Sequence, residues 1–126
     1  MVKLIDMFLN LNHYNLEVYK EAKIFRRACY QLILKPPSSE KYNLIDQIRR
    51  ASTSVVLNLS EGSSRKSQVE RNRYYEISRG SIIEIDTCLE IIFEEKWLTM
   101  DELEQVGKPL KTTFILLSKL INAGKQ

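Results

Sequence analysis

The sequence predicts an all-α protein, an antiparallel up-down-up-down four-helix bundle. Four long segments repeat apolar residues at steps of three and four, the spacing that places side chains on one helix face. The connections between them are short, as between antiparallel neighbours in a bundle. The 126 residues suit one domain, and four glycines and three prolines leave little material for a turn-rich β fold.

The first two helices are predicted over residues 14–34 and 40–62. Pro36 and Pro37 lack the amide donors of a helix, so the first helix ends before them. The second is predicted to end at Gly62 in a left-handed cap. The apolar stripe of the first helix is Val18, Ala22, Phe25, Cys29 and Leu32, and that of the second is Leu44, Ile48, Ala51, Val55 and Leu59.

The third and fourth helices are predicted over residues 67–96 and 99–122. Each opens on the Ser/Thr-x-x-Glu pattern of a capping box, at residues 67–70 and 99–102. Pro109 falls inside the last helix, where we expect a kink or a short first segment. The predicted inward faces are Tyr74, Ile77, Ser81, Ile85, Cys88 and Ile92, then Leu103, Val106, Leu110, Phe114, Leu117 and Ile121.

The bundle itself is predicted to occupy residues 13–123. Residues 1–12 form either a tail or a short helix, and residues 124–126 form a tail. No secretory signal or membrane-spanning stretch is visible, so we expect a cytoplasmic protein.

Few residues are available for catalysis or for binding a cofactor. Cys29 and Cys88 lie on apolar stripes and are expected to be reduced core thiols. His13 is the only histidine, which excludes a histidine metal cluster. No Glu-x-x-His pattern or glycine-rich phosphate loop occurs. No cofactor or metal is therefore predicted.

A polar stripe runs beside the apolar face of the second helix. Buried polar groups must be paired, so we expect this stripe to bond with the third helix. In particular, Asn58 and Glu61 are expected to bond with Arg79 and Ser81, while Gly80 allows a helix to approach closely. Contact with a ligand or RNA is the alternative. The predicted interhelical network comprises Gln47, Ser54, Asn58, Glu61, Arg79, Ser81 and Glu84.

Charge is distributed unevenly along the chain. The net charge of +3 is too small by itself to show a nucleic-acid partner. Residues 65–79 carry five cations and two carboxylates, and residues 84–95 carry five carboxylates and no cation. Cations could bind phosphates while Tyr74 and Tyr75 stack on bases, or the charges could simply be solvated. The nucleic-acid-binding candidates are Arg49, Arg50, Arg65, Lys66, Arg71 and Arg73.

The chain resembles the 23S rRNA intervening-sequence proteins, also called four-helix-bundle proteins. The motifs that carry the resemblance lie at residues 16–22, 40–44, 47–52, 54–55, 58–62 and 79–81 and at Glu84, within about residues 14–121. The pair Leu59 and Ser60 stands where the family more often has Ile-Ala. The resemblance implies a small antiparallel bundle whose biochemical role is generally unassigned. A related branch, the accessory proteins of diversity-generating retroelements, forms pentameric rings that bind a reverse transcriptase and nucleic acid.

These observations predict a non-enzymatic oligomeric adaptor that binds RNA or a ribonucleoprotein. The resemblance suggests that the oligomer is a homopentamer, and exposed apolar residues such as Leu57 favour a subunit interface. A structural assembly or protein-binding module without nucleic acid is the alternative. An enzyme using Glu61, Glu84 and Arg79 is the least favoured, and it requires a cavity that reaches all three side chains.

Overall fold

The computed structural model describes residues 7–9, 11–32 and 39–124. These residues contain no strand, which confirms the all-α prediction. A 3-10 helix spans Asn12–Asn15, and four α-helices follow. They are α1 (Glu17–Tyr30), α2 (Ser39–Ser63), α3 (Gln68–Glu94) and α4 (Met100–Ala123).

The four helices enclose one apolar core. Helix α1 packs against α2 and α4, and α3 packs against the same two helices. Burying one large aliphatic side chain contributes about 1.5–3 kcal/mol, so the converging stripes stabilise the bundle. Cys29 and Cys88 are buried and free, as predicted. The side chains that are fully buried include Phe25, Ile48, Val55, Leu59, Ile82, Ile85, Ile92, Val106 and Leu117.

The inward face of α3 differs from its predicted face. Ile77 is 46% exposed, whereas Tyr75, Ser78 and Leu89 are buried. Ser78 donates a hydrogen bond of 2.8 Å to the carbonyl of Val55 in α2. Small residues therefore fill the contact between α2 and α3, and the larger isoleucine faces outward.

Helix α1 is shorter than the predicted span of residues 14–34. It begins at Glu17 because Leu16 is extended, with φ −69° and ψ 128°, and separates α1 from the 3-10 helix. It ends at Tyr30, and residues 33–34 lie outside the described residues. The segment predicted as a tail or short helix therefore includes the beginning of a 3-10 helix at Asn12, while residues 1–6 are not described.

Both predicted capping patterns are at helix N-termini. The Ser67 hydroxyl accepts a hydrogen bond from the Glu70 amide, and Thr99 with Glu102 forms a complete capping box. Helix α4 runs through Pro109 as a single element, so it has no separate first segment.

The left-handed cap predicted at Gly62 is wrong. Gly62 lies inside α2, and among the described residues the one with positive φ is Lys96, at 59°, after α3. A Cβ at Gly62 would lie 2.8 Å from the Cβ of Tyr74 and 2.9 Å from the Cε1 of Tyr75. This glycine is thus required by the close approach of α3, and not by its own backbone conformation.

Candidate nucleic-acid interface

Part of the predicted polar network crosses between α2 and α3. The hydroxyl oxygens of Ser54 and Ser81 lie 3.0 Å apart. The Asn58 amide donates to both the carbonyl and the hydroxyl of Ser54, at 2.9 and 3.0 Å. Gln47, two turns before Ser54 in α2, donates to the carboxylate of Glu84, which is one turn after Ser81 in α3. We call Gln47, Ser54, Asn58, Ser81 and Glu84 the polar seam.

Arg79 and Glu61 do not join this seam. The Arg79 Nε donates to the Ser118 hydroxyl at 3.1 Å, and its guanidinium lies 4.5 Å from the ring centre of Phe114 in α4. Two residues along a helix turn the side chain by about 200°, so Arg79 and Ser81 cannot share a face. The predicted bonds from Asn58 and Glu61 to Arg79 and Ser81 are therefore wrong, and Ser81 contacts Ser54 instead.

Glu61 forms an ion pair with Arg65, four residues later in the chain. None of the five best-formed cavities in the part of the chain that the structure describes is lined by Glu61, Glu84 and Arg79 together. The described structure also has no group of three or more side chains able to hold a metal ion.

Arg71, predicted to contact nucleic acid, holds the turn between α2 and α3 together. Its guanidinium donates to the carbonyls of Arg65 and Lys66 at 2.9 and 2.8 Å, and to Gln68 Oε1 at 2.9 Å. These bonds satisfy carbonyls that follow the end of α2. The side chain is consequently committed to the fold.

Arg65 and Arg73 flank the ring of Tyr74, at 4.9 and 5.3 Å from its centre. Arg65 also donates to the Tyr74 hydroxyl at 3.0 Å. Each arginine is paired with a carboxylate, Arg65 with Glu61 and Arg73 with Glu70. The positive charge here is thus partly neutralised. We call Arg65, Lys66, Arg73 and Tyr74 the turn cluster. Tyr75, by contrast, is buried and unavailable for stacking.

Arg49 and Arg50 are distant from the turn cluster. Fourteen residues of helix separate Arg49 from the end of α2 at Ser63, about 21 Å at 1.5 Å per residue, and Arg65 lies beyond that end. Arg50 is exposed and lies beside the polar seam, 3.4 Å from Gln47 Oε1. The five arginines and one lysine predicted to bind nucleic acid therefore do not form a single patch.

Arg49 instead lies close to Tyr30 of α1. The guanidinium of Arg26 lies 4.2 Å from the Tyr30 ring centre and that of Arg49 lies 5.9 Å from it. Thr53 fixes this group, because its hydroxyl accepts from Arg26 Nε at 3.3 Å and lies 3.1 Å from the Tyr30 hydroxyl. The Thr53 hydrogen bond lowers the pKa of Tyr30; burial opposes this shift, and the charge of Arg26 adds to it.

Other cations extend this group along the outer side of α1. Lys20, Lys23 and Arg27 are exposed, and no carboxylate pairs with them among the described residues. We call Lys20, Lys23, Arg26, Arg27, Tyr30 and Arg49 the α1 surface. It combines exposed cations with an accessible ring, the two groups that contact phosphates and bases.

A cavity of about 740 Å³ adjoins the α1 surface at its N-terminal end. The rings of Tyr14 and Tyr19 lie nearly parallel beside it, with centres 5.8 Å apart and an angle of 9°. Buried His13 contacts both rings edge-on, at 4.6 and 4.7 Å. We call this the N-terminal cavity, and its described lining is Phe8, Tyr14, Tyr19, Lys20, Lys23, Ile24 and Arg27.

Sequence reasoning missed most of the α1 surface, although a signal was present. Tyr19, Lys23, Arg26 and Tyr30 follow one another at steps of four, three and four. That spacing places two aromatic and two cationic residues along one side of a helix. The prediction for α1 used its apolar stripe and did not include this second stripe.

The fold and this surface together define a small helical bundle with a basic and aromatic outer face. The family model of the 23S rRNA-intervening sequence protein matches residues 14–122. The chain therefore belongs to the 23S rRNA-intervening sequence protein family, as the resemblance indicated.

A solved structure supports the same fold. It is a protein of unknown function from the S23 ribosomal protein family of Bacteroides thetaiotaomicron, 18% identical, with a TM-score of 0.70. The similarity covers 82% of this chain and 97% of that one. No curated protein matches the sequence. Within the described residues, no helix is both long and apolar enough to cross a membrane.

Proposed function

We propose that this protein is a non-enzymatic adaptor that binds RNA through the α1 surface. The observation that carries the proposal is the exposed Tyr30 ring, with the guanidiniums of Arg26 and Arg49 at 4.2 and 5.9 Å from its centre. An exposed ring beside two cations offers a stacking surface and two phosphate contacts at one position. Because Thr53 fixes Arg26 and Tyr30, little side-chain freedom remains to be lost on binding.

The balance of charge favours the α1 surface over the turn cluster. Helix α1 contains four cations and two carboxylates, and none of its four cations forms an ion pair among the described residues. In the turn cluster, Glu61 and Glu70 compete with phosphate for Arg65 and Arg73. Binding at α1 therefore displaces no carboxylate, whereas binding at the turn cluster does.

The proposal is tested by measuring the affinity of the purified protein for a fluorescently labelled RNA hairpin with unpaired flanks. Arg26→Gln with Arg49→Gln is expected to weaken binding about tenfold or more, because two phosphate contacts are lost. Lys108→Gln with Lys119→Gln is the control, since it removes the same charge from exposed positions on α4. Equal weakening by both pairs would contradict the proposal, provided that circular dichroism shows both to be folded.

Self-association is a second proposed role, and a groove between α3 and α4 favours it. The groove has a volume of about 360 Å³, and Ile83 and Ile115 on its edges are 46% and 53% exposed. Exposed apolar residues grouped in this way are typical of subunit interfaces. Its described lining is Ile82, Ile83, Asp86, Leu110, Lys111, Phe114 and Ile115.

The oligomer is a homo-oligomer in this proposal, and the resemblance suggests five subunits. Light scattering after size exclusion gives the mass directly. Ile83→Glu is expected to reduce it, because the variant places a charge in the groove. Val69→Glu, at a residue 81% exposed near the start of α3 and outside the groove lining, is the control and is expected to leave the mass unchanged. A monomeric wild-type protein would contradict this role.

A further inference from the structure

We infer that the N-terminal cavity binds one unpaired nucleotide of an RNA strand whose neighbouring phosphates lie on the α1 surface. This inference rests on the proposed function and narrows it, because it selects single-stranded over double-stranded RNA. The juxtaposition that carries it is a pair of ordered aromatic rings and three cations around one cavity.

The aromatic side of the cavity is suited to a base. Tyr14 and Tyr19 are half-buried and nearly parallel, and His13 packs against the edge of each. These contacts hold both rings in place before any ligand arrives. Stacking on such rings tolerates any base, because every base has a π-face. Burial, followed by the proximity of Tyr14, raises the pKa of Tyr19, so its hydroxyl adds no negative charge to the cavity at neutral pH.

The cationic side is suited to a phosphate. Lys20, Lys23 and Arg27 lie at i, i+3 and i+7 of α1 and therefore share one side of the helix. Lys23 Nζ is also 5.5 Å from the centre of the Tyr19 ring, which joins the cationic side to the aromatic one. Among the described lining residues there are three cations and no carboxylate. The cavity thus favours an anion that also carries a flat ring.

The shape of the cavity favours an unpaired nucleotide. Its volume of about 740 Å³ lies within the range of small-ligand sites, roughly 300–1,000 Å³. A base inside a duplex is paired and stacked on its neighbours, so its faces cannot reach Tyr14 without unstacking. Lys23 is seven residues from Tyr30, about 10 Å along α1, so a strand leaving the cavity can continue onto the α1 surface.

In the first test, adenosine monophosphate is titrated into the full chain, and NMR monitors the resonances of the aromatic side chains. We expect the resonances of Tyr14 and Tyr19 to shift with saturation, and those of Tyr74 in the turn cluster to remain unchanged. Adenosine and inorganic phosphate are titrated separately, and each is expected to bind at least tenfold more weakly than the nucleotide. Equal binding of inorganic phosphate would show an anion site only and would overturn the inference. Absence of any shift would overturn it also.

The second test compares an unpaired RNA with a duplex of the same length. The wild type is expected to prefer the unpaired strand about tenfold, the effect of one stacked base. Tyr14→Leu should remove this preference while duplex binding is retained. Lys20 and Arg27 are both exposed. The double variant Lys20→Gln with Arg27→Gln should weaken binding of the unpaired strand more than Lys108→Gln with Lys119→Gln does.

The outcomes separate the inference from the proposed function. If RNA binding requires Arg26 and Arg49 but Tyr14→Leu leaves the strand preference unchanged, the inference fails and the proposed function stands. If the wild type binds neither RNA, both fail, even where the mononucleotide shifts Tyr14. If the preference depends on Tyr14 and the overall affinity depends on Arg49, both are supported.

Discussion

The hydroxyl of Ser54 on α2 lies 3.0 Å from the hydroxyl of Ser81 on α3. Asn58 supports this contact from within α2 by donating to the Ser54 hydroxyl at 3.0 Å. Ser78, one turn before Ser81, donates to the Val55 carbonyl. Hydrogen bonds thus tie two closely packed helices together at consecutive turns, and they fix the register of α2 against α3.

A double-mutant cycle at Ser54 and Ser81 is expected to show coupling of about 0.5–1.5 kcal/mol in the free energy of unfolding. Each single change to alanine removes the same interhelical bond, so the double variant should cost less than the sum of the two. Urea unfolding followed by circular dichroism measures all four proteins. Strict additivity would show that the contact contributes nothing to stability.

Gly62→Ala is expected to destabilise the protein by about 1–3 kcal/mol, the usual cost of overpacking. The new methyl group would lie under 3.0 Å from Tyr74 and Tyr75, and 3.1 Å from the Arg71 carbonyl, which is backbone. Thermal and urea unfolding measure the loss.

Gly80→Ala is the matched control, because nothing lies within 4 Å of a Cβ at that exposed position in α3. It should stabilise the protein by about 0.5–1 kcal/mol, since alanine favours the helix. The same sign of change at both glycines would contradict the packing role of Gly62.

Lys96→Gly is expected to stabilise the protein by about 1 kcal/mol. Lys96 has φ 59°, and its amide bonds to the Phe93 carbonyl while the Trp97 amide bonds to that of Ile92. This is a Schellman motif, in which the left-handed position favours glycine. Glu95→Gly is the control, because Glu95 has φ −82° and gains nothing from glycine. Denaturant unfolding distinguishes them, and a larger gain at position 95 would refute the explanation.

Stability is expected to fall as the pH drops below 6.5. Burial lowers the pKa of His13 from its ordinary value of 6.5, so in this range the unfolded chain binds the proton more readily than the folded protein. The loss of stability begins near the pKa of His13 in the unfolded chain, and it is complete once the pH is below the pKa of His13 in the folded protein. His13→Phe retains an aromatic ring and should flatten this part of the pH profile. Parallel profiles for the two proteins in calorimetric unfolding would exclude His13 as the cause.

The sequence was sufficient to predict the helices, most of the core and the capping patterns, because these depend on local spacing. The prediction that Arg79 and Ser81 share bonding partners was wrong, although two positions along a helix point in nearly opposite directions and the sequence alone could have excluded it. The role of Gly62 could not be predicted, because it depends on how closely Tyr74 and Tyr75 approach from α3.

The candidate site was harder to predict than the fold, because it depends on which helices meet in the tertiary structure. Tyr30 and Arg49 belong to different helices, and no periodicity indicates that they meet. The commitment of Arg71 to the turn likewise depends on carbonyls placed by the end of α2. Charge alone therefore suggested the turn cluster, whereas the packing favours the α1 surface.

The most direct measurement of the central claim is the salt dependence of RNA affinity. For the wild type, the logarithm of the association constant should fall linearly with the logarithm of salt concentration, because bound phosphates release counterions. Arg26→Gln with Arg49→Gln should reduce the slope by about 2, one unit for each lost contact. An affinity independent of salt, or a slope unchanged in this variant, would contradict RNA binding at the α1 surface.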